Sequence, residues 1–126
     1  MKFLHVCIRV GNLEKSVEFY EKALGYKVSR KLDNPGDFTL VYLEDPETGF
    51  ELELTYNYGV ESYEIGNGYS HFAVKTDDVK KSFERHKEMG ITSDDEPYTI
   101  PGGSSSIYFI TDPDGYEVEI IGPKIK

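Results

Sequence analysis

The chain repeats itself, and this limits what it can fold into more than any other property of its sequence. Laid over itself at an offset of 66 (71 − 5), LHVCIRVGNLEKSVEFYEKALG from Leu4 matches SHFAVKTDDVKKSFERHKEMG from Ser70. His5 meets His71, Ile8 meets Val74, Ser16 meets Ser82 and Glu18 meets Glu84. Toward the ends of the halves, DPETGFELEL from Asp45 matches DPDGYEVEI from Asp112, with one residue deleted in the turn. Glu51 then meets Glu117, and Glu53 meets Glu119 (119 − 53 = 66). Such a chain is expected to fold as two copies of one supersecondary unit.

Each copy predicts the same order of elements. A strand (3–10 and 69–75) leads into a helix capped by Asn12 in the first half and by Asp77 or Asp78 in the second. Leu13, Val17, Tyr20 and Leu24 keep helical spacing, and Gly25 and Gly90 close the two helices. An edge strand starts near Tyr26; its counterpart, around Ile91, is weak. After the polar loop DNPGD comes a strand over 38–43, matched by 104–110, and a turn carrying Asp-Pro and a glycine leads to the last strand. The expectation is an α+β fold of two paired βαβββ modules in a single domain. Module one covers about 1–58, a connector with Gly59, Gly66 and Gly68 about 59–68, and module two about 69–126.

Composition removes several function classes. The chain has 126 residues, and its only cysteine is Cys7, so no internal disulfide is available. A chain of this length buries roughly 65–70% of its unfolded surface and needs none. A cytoplasmic setting is the expectation. Net charge is −9 with no basic cluster, which argues against a nucleic-acid partner. No run approaches the ~20 apolar residues of a membrane span. MKFLHVCIRVG, interrupted by His5 and Arg9, does not read as a signal peptide. A small-molecule or metal partner remains.

Strand alternation places four residues of chemical interest. In the first strand Leu4, Val6, Ile8 and Val10 share the face that packs on the helix, so His5 points to the opposite face with Phe3, Cys7 and Arg9. The same logic sets Glu53 opposite Leu52 and Leu54, His71 opposite Phe72 and Val74, and Glu119 opposite Val118 and Ile120. In a βαβββ unit the first and last strands run the same way and can lie side by side. Each half then offers one histidine and one glutamate on one face. Two imidazoles and two carboxylates suit a divalent transition ion, and an octahedral ion would keep two open positions. A lone strand histidine is more often structural, and a strand glutamate usually faces water. The pairing of His5/Glu53 with His71/Glu119 at equivalent repeat positions favours ligation. Glu51 and Glu117 share those faces and match each other, so spacing alone does not exclude them. His86, on the second helix, is expected to be solvated, and Cys7 to be packing rather than ligating.

The run HVCIRVGNLEKSVEFYEKALGY, the phrase ELTYN and the phrase DPDGYEVEI together resemble the glyoxalase I family of the vicinal-oxygen-chelate superfamily, whose fold is paired βαβββ modules. The resemblance covers nearly the whole chain. It implies that His5, Glu53, His71 and Glu119 are the metal ligands and ranks Glu51 and Glu117 below them. It implies lactoylglutathione lyase activity: the hemithioacetal of methylglyoxal and glutathione is isomerised to S-lactoylglutathione by proton transfer through a metal-bound enediolate. Glu119 matches the family's principal proton-transfer carboxylate, and Glu53 serves the second transfer.

Arg9 and Asn57 each lie four residues beyond a ligand on the same strand face (9 − 5 and 57 − 53), roughly 13 Å along the strand. The resemblance assigns them the γ-glutamyl end of glutathione. Bacterial relatives commonly carry a lysine before the Gly-Gly of the second-half loop; here YTIPGGSSS has Pro101 in that place, which questions the thiol. Similarity to the short forms implies one divalent ion per site, nickel favoured and zinc the alternative, in a homodimer with the site built within one chain or between two. The competing expectations are a methylmalonyl-CoA epimerase-like metal enzyme and a metal-free protein that sequesters a small molecule.

Overall fold

A computed structural model describes residues 1–125, which divide between Glu64 and Ile65 into two compact units. The division falls inside the expected connector. Unit one runs β1 (His5–Arg9), α1 (Leu13–Leu24), β2 (Lys27–Asn34), β3 (Phe38–Glu44) and β4 (Glu51–Asn57). Unit two runs β5 (His71–Lys75), α2 (Val79–Glu88), β6 (Tyr98–Thr99), β7 (Ser105–Thr111) and β8 (Glu117–Pro123). The sheet orders are β1-β4-β3-β2 and β5-β8-β7-β6, so both units are βαβββ.

The helices start and stop where local chemistry dictates. The Asn12 side chain accepts from the Lys15 N–H, and the Asp78 side chain from the Lys81 N–H. Of the two aspartates open to this role, Asp78 takes it. Gly25 adopts φ 73°, which lets its N–H reach the Glu21 carbonyl while the Tyr26 N–H reaches that of Tyr20. The buried stripe of α1 is Ser16, Phe19, Tyr20 and Ala23, while the expected Leu13, Val17 and Leu24 sit half-buried at its margins. The stripe lies one step round the helix from the one the aliphatic residues alone suggested.

In each unit the first and last strands are parallel neighbours. His5 registers with Glu51 and Cys7 with Glu53; His71 registers with Glu117 and Ala73 with Glu119. The helix-facing side of each sheet is closed: Val10, Leu43 and Leu54 are fully buried in unit one, as are Ile110 and Val118 in unit two. Each such side chain contributes about 1.5–3 kcal/mol by leaving water. With that face taken up by the core, alternation sends every histidine and glutamate of β1, β4, β5 and β8 to the other side.

The units differ at their edge strands. β2 is eight residues long, exposed throughout, and carries a bulge between Val28 and Arg30. In unit two the strand expected near Ile91 shrinks to an isolated Thr92–Ile110 bridge, and the strand proper, β6, lies further on. The intervening Asp94, Asp95, Glu96 and Pro97 explain the break. Adjacent like charges and a missing N–H both work against a ladder.

Candidate metal-binding and catalytic site

On the open face of unit one, His5 Nε2 lies 3.6 Å from Glu53 Oε2. On that of unit two, His71 Nε2 lies 3.1 Å from Glu119 Oε1. The carboxylates sit deep, with 12% and 14% of their side-chain surface exposed, whereas the imidazoles are open to 33% and 28%. Each pair thus forms a shallow socket with the charged group at its floor. In unit two the Ser70 hydroxyl meets His71 Nδ1 at 2.7 Å, which orients the ring and aims Nε2 at the carboxylate. When Nδ1 carries the proton, Nε2 presents a lone pair to an anionic oxygen, an arrangement that a cation between them relieves. Imidazole nitrogen and carboxylate oxygen together suit zinc, nickel and their neighbours. Among the described residues no group of three or more His, Cys, Asp or Glu side chains converges, so each unit carries a pair of donors.

Glu51 and Glu53 share a strand face, but their surroundings separate them. Glu51 accepts from the Ser29 hydroxyl at 2.8 Å and from the Arg30 guanidinium at 3.2 and 3.0 Å. Consecutive residues of a regular strand point to opposite faces; the β2 bulge is what lets Ser29 and Arg30 converge on one carboxylate. The Arg30 bond holds the Glu51 carboxyl below its ordinary range. Glu51 is thereby occupied by its own sheet. Its repeat partner Glu117 is exposed at the sheet's rim.

Glu53 is held differently. Tyr42, its Cα partner on β3, donates its hydroxyl to Oε1 at 2.5 Å. Burial pushes the Glu53 carboxyl up, but hydrogen bonds from Tyr42 and Cys7, with His5 beside it, leave it below the ordinary glutamate value. The Tyr42 ring stands edge-on to His5, with centroids 5.7 Å apart, and the Arg30 guanidinium lies 3.8 Å above it. In unit two, Phe109 stands edge-on to His71 at 5.1 Å and is the Cα partner of Glu119. Tyr42, Arg30 and Ser29 escaped the sequence reading. Tyr42 is recoverable only by aligning the halves at an offset of 67 ahead of the one-residue deletion (109 − 42).

The family model described as Glyoxalase/Bleomycin resistance protein/Dioxygenase superfamily matches residues 2–120. The chain belongs to this superfamily. A lactoylglutathione lyase of Arabidopsis thaliana is 47% identical over 95% of the chain, and the chain spans 44% of that longer protein. A lactoylglutathione lyase of Haemophilus influenzae is 42% identical over 98% of the chain and 94% of its own length. Among solved structures, the trypanothione-dependent glyoxalase I of Leishmania major is 40% identical with a TM-score of 0.82, over 97% of this chain and 86% of that one.

The remaining residues of this glyoxalase-superfamily chain fall into place around the pairs. Arg9 ends β1 in register with Thr55, so it stands to Asn57 as His5 stands to Glu53, one strand over and two residues back. Arg9 is exposed, and the Asn57 amide donates to the Tyr63 hydroxyl at 2.9 Å. Cys7 is exposed rather than packed, with Sγ 3.2 Å from the Thr55 hydroxyl; desolvation at the sulfur raises its pKa, which blunts its nucleophilicity. His86 overturns its expectation. It is 2% exposed, and its Nδ1 lies 2.7 Å from the Tyr108 hydroxyl. The helical face it occupies is continuous with Val79 and Phe83, so the inward stripe carries it into the core.

Proposed function

We propose that this chain is a metal-dependent lactoylglutathione lyase, a glyoxalase I. The observation that carries the reading is the duplicated His–Glu pair, set on parallel neighbouring strands at equivalent positions of both units. His5, Glu53, His71 and Glu119 would hold one divalent ion, nickel by preference and zinc as the alternative. When bound, that ion supplies Lewis-acid polarisation to the substrate's two adjacent oxygens. The relatives named lactoylglutathione lyase support the reaction.

Glu119 carries the C–H proton of the hemithioacetal from the carbon next to sulfur to the neighbouring carbon, and in a second transfer the hydroxyl proton passes from the oxygen beside sulfur to the adjacent oxygen, giving the lactoyl thioester. The step is an isomerisation: no atom is gained or lost, and no redox partner is used. Glu53 serves the second transfer. Arg9 takes the γ-glutamyl carboxylate, for which a guanidinium is well shaped, and Asn57 binds beside it. Pro101, exposed at the turn, brings no charge to the glycine end of glutathione. A different thiol adduct is the second reading, supported by a relative that is trypanothione-dependent. The proposed setting is a cytoplasmic homodimer. Among the described residues no helix is long and apolar enough to cross a membrane.

The test strips the protein of metal, restores nickel or zinc separately, and follows isomerisation of the methylglyoxal–glutathione hemithioacetal. Metal-dependent turnover that collapses in Glu119→Gln, with KM raised in Arg9→Ala, is the expected result. Metal binding without turnover on any thiol adduct refutes the lyase while leaving the ligands standing. Light scattering with and without nickel reads the oligomeric state.

A further inference from the structure

The repeat makes the two sockets comparable atom by atom, and they are braced in opposite ways. In unit one the carboxylate is pinned: Tyr42 donates to Glu53 Oε1 while Oε2 faces His5. The Tyr42 ring is itself clamped under Arg30, which Glu51 holds in turn. His5 has no counterpart of the serine that orients His71, because position 4 is leucine (70 − 66 = 4). In unit two the imidazole is pinned by Ser70, and the carboxylate is not. The aromatic residue opposite Glu119 is Phe109, set against His71 as Tyr42 is against His5, but with no hydroxyl to give. Apart from His71, no side chain among the described residues hydrogen-bonds Glu119.

We propose that Tyr42 is a positioning residue that holds Glu53 in one orientation, confining it to the oxygen-bound proton, and leaves Glu119 free to swing with the proton that moves between carbons. This rests on the metal-binding lyase reading and adds to it a reason why two equivalent glutamates do different work. A proton carrier must rotate between two carbon atoms, and a carboxylate already held by a phenol must break that bond at each pass. A carboxylate whose register partner, Phe109, has no hydroxyl to hold it bears no such cost. The sequence difference is a single oxygen, present at Tyr42 and absent at Phe109.

The experiment moves that oxygen. Nickel affinity is measured by chelator competition on Tyr42→Phe, Phe109→Tyr and the parent chain, alongside kcat, KM and melting temperature. Tyr42→Phe is expected to weaken nickel binding by about 10- to 100-fold, the usual cost of losing a partner behind a ligand. Phe109→Tyr is expected to keep nickel affinity and KM but lower kcat by about tenfold or more, since it ties down the proton carrier. A purely structural role for either ring would move melting temperature and leave the split between affinity and kcat unmade. Parent-like nickel affinity in Tyr42→Phe, or parent-like kcat in Phe109→Tyr, overturns the proposal while the lyase stands. A parent chain that binds neither nickel nor zinc overturns the lyase reading and this one with it.

Discussion

The buried His86–Tyr108 contact permits a quantitative test of how unit two is held together. Tyr108 is 1% exposed and His86 2%, so neither can exchange its partner for water. Arg85 Nη2 lies 3.2 Å from His86 Nε2, and a guanidinium only donates. Nε2 is therefore the acceptor, and Nδ1–H donates to the Tyr108 oxygen. Tyr108→Phe removes that acceptor from a buried N–H, which costs about 1–3 kcal/mol. For a chain of this size each kcal/mol moves the melting temperature by about 4 °C, so the expected fall is about 4–12 °C, with the urea midpoint lowered in step. His86→Leu/Tyr108→Phe removes both ends of the bond and should cost less than the sum of its single variants, by about 1 kcal/mol. Additivity, or a Tyr108→Phe variant within about 0.5 kcal/mol of the parent, would refute the reasoning.

Two further expectations concern the scaffold. A Cβ added at Gly122 would sit 2.7 Å from the Thr76 carbonyl oxygen and 2.6 Å from Val79 Cγ2, so Gly122→Ala should destabilise by about 1–3 kcal/mol, whereas Gly68→Ala, with open space around it, should be near neutral in the same urea titration. Asp33 Oδ1 accepts from the Tyr58 and Thr39 hydroxyls at 2.6 and 2.7 Å, and these bonds hold its carboxyl below the ordinary aspartate value. A depressed folded-state pKa contributes stability that is present above the unfolded value and lost as pH falls through the folded one. The stability advantage of the parent over Asp33→Asn should therefore be largest near neutrality and shrink toward about pH 3; an advantage that grows on acidification sinks the assignment.

How much of this was legible beforehand depended on distance along the chain. The βαβββ order and the facing of His5, Glu53, His71 and Glu119 follow from alternation within single strands, checked twice by the repeat. The choice between Glu51 and Glu53 was not legible. It is made by Ser29 and Arg30, which lie 22 and 21 residues from Glu51 and reach it only through a bulge. Tyr42 was hidden for a similar reason: its hydroxyl is spoken for across the sheet, and a tyrosine in a strand reads as core. His86 misled because a histidine beside Arg85 and Lys87 has the composition of a solvated face. Its partner hydroxyl sits on β7, 22 residues away.

The parallel contact of first and last strands has a mechanical consequence. The chain enters each unit on one strand and leaves it on that strand's neighbour, both pointing the same way. Tension applied to the two ends of a unit therefore slides these strands past each other along their length. Their hydrogen bonds are sheared together instead of being peeled one at a time. The edge strand, at the far side of the sheet, feels none of this until the pair has given way. Each socket's histidine and glutamate sit on opposite sides of that slip line, so a ligand gripping both would act as a rivet through the first plane to fail.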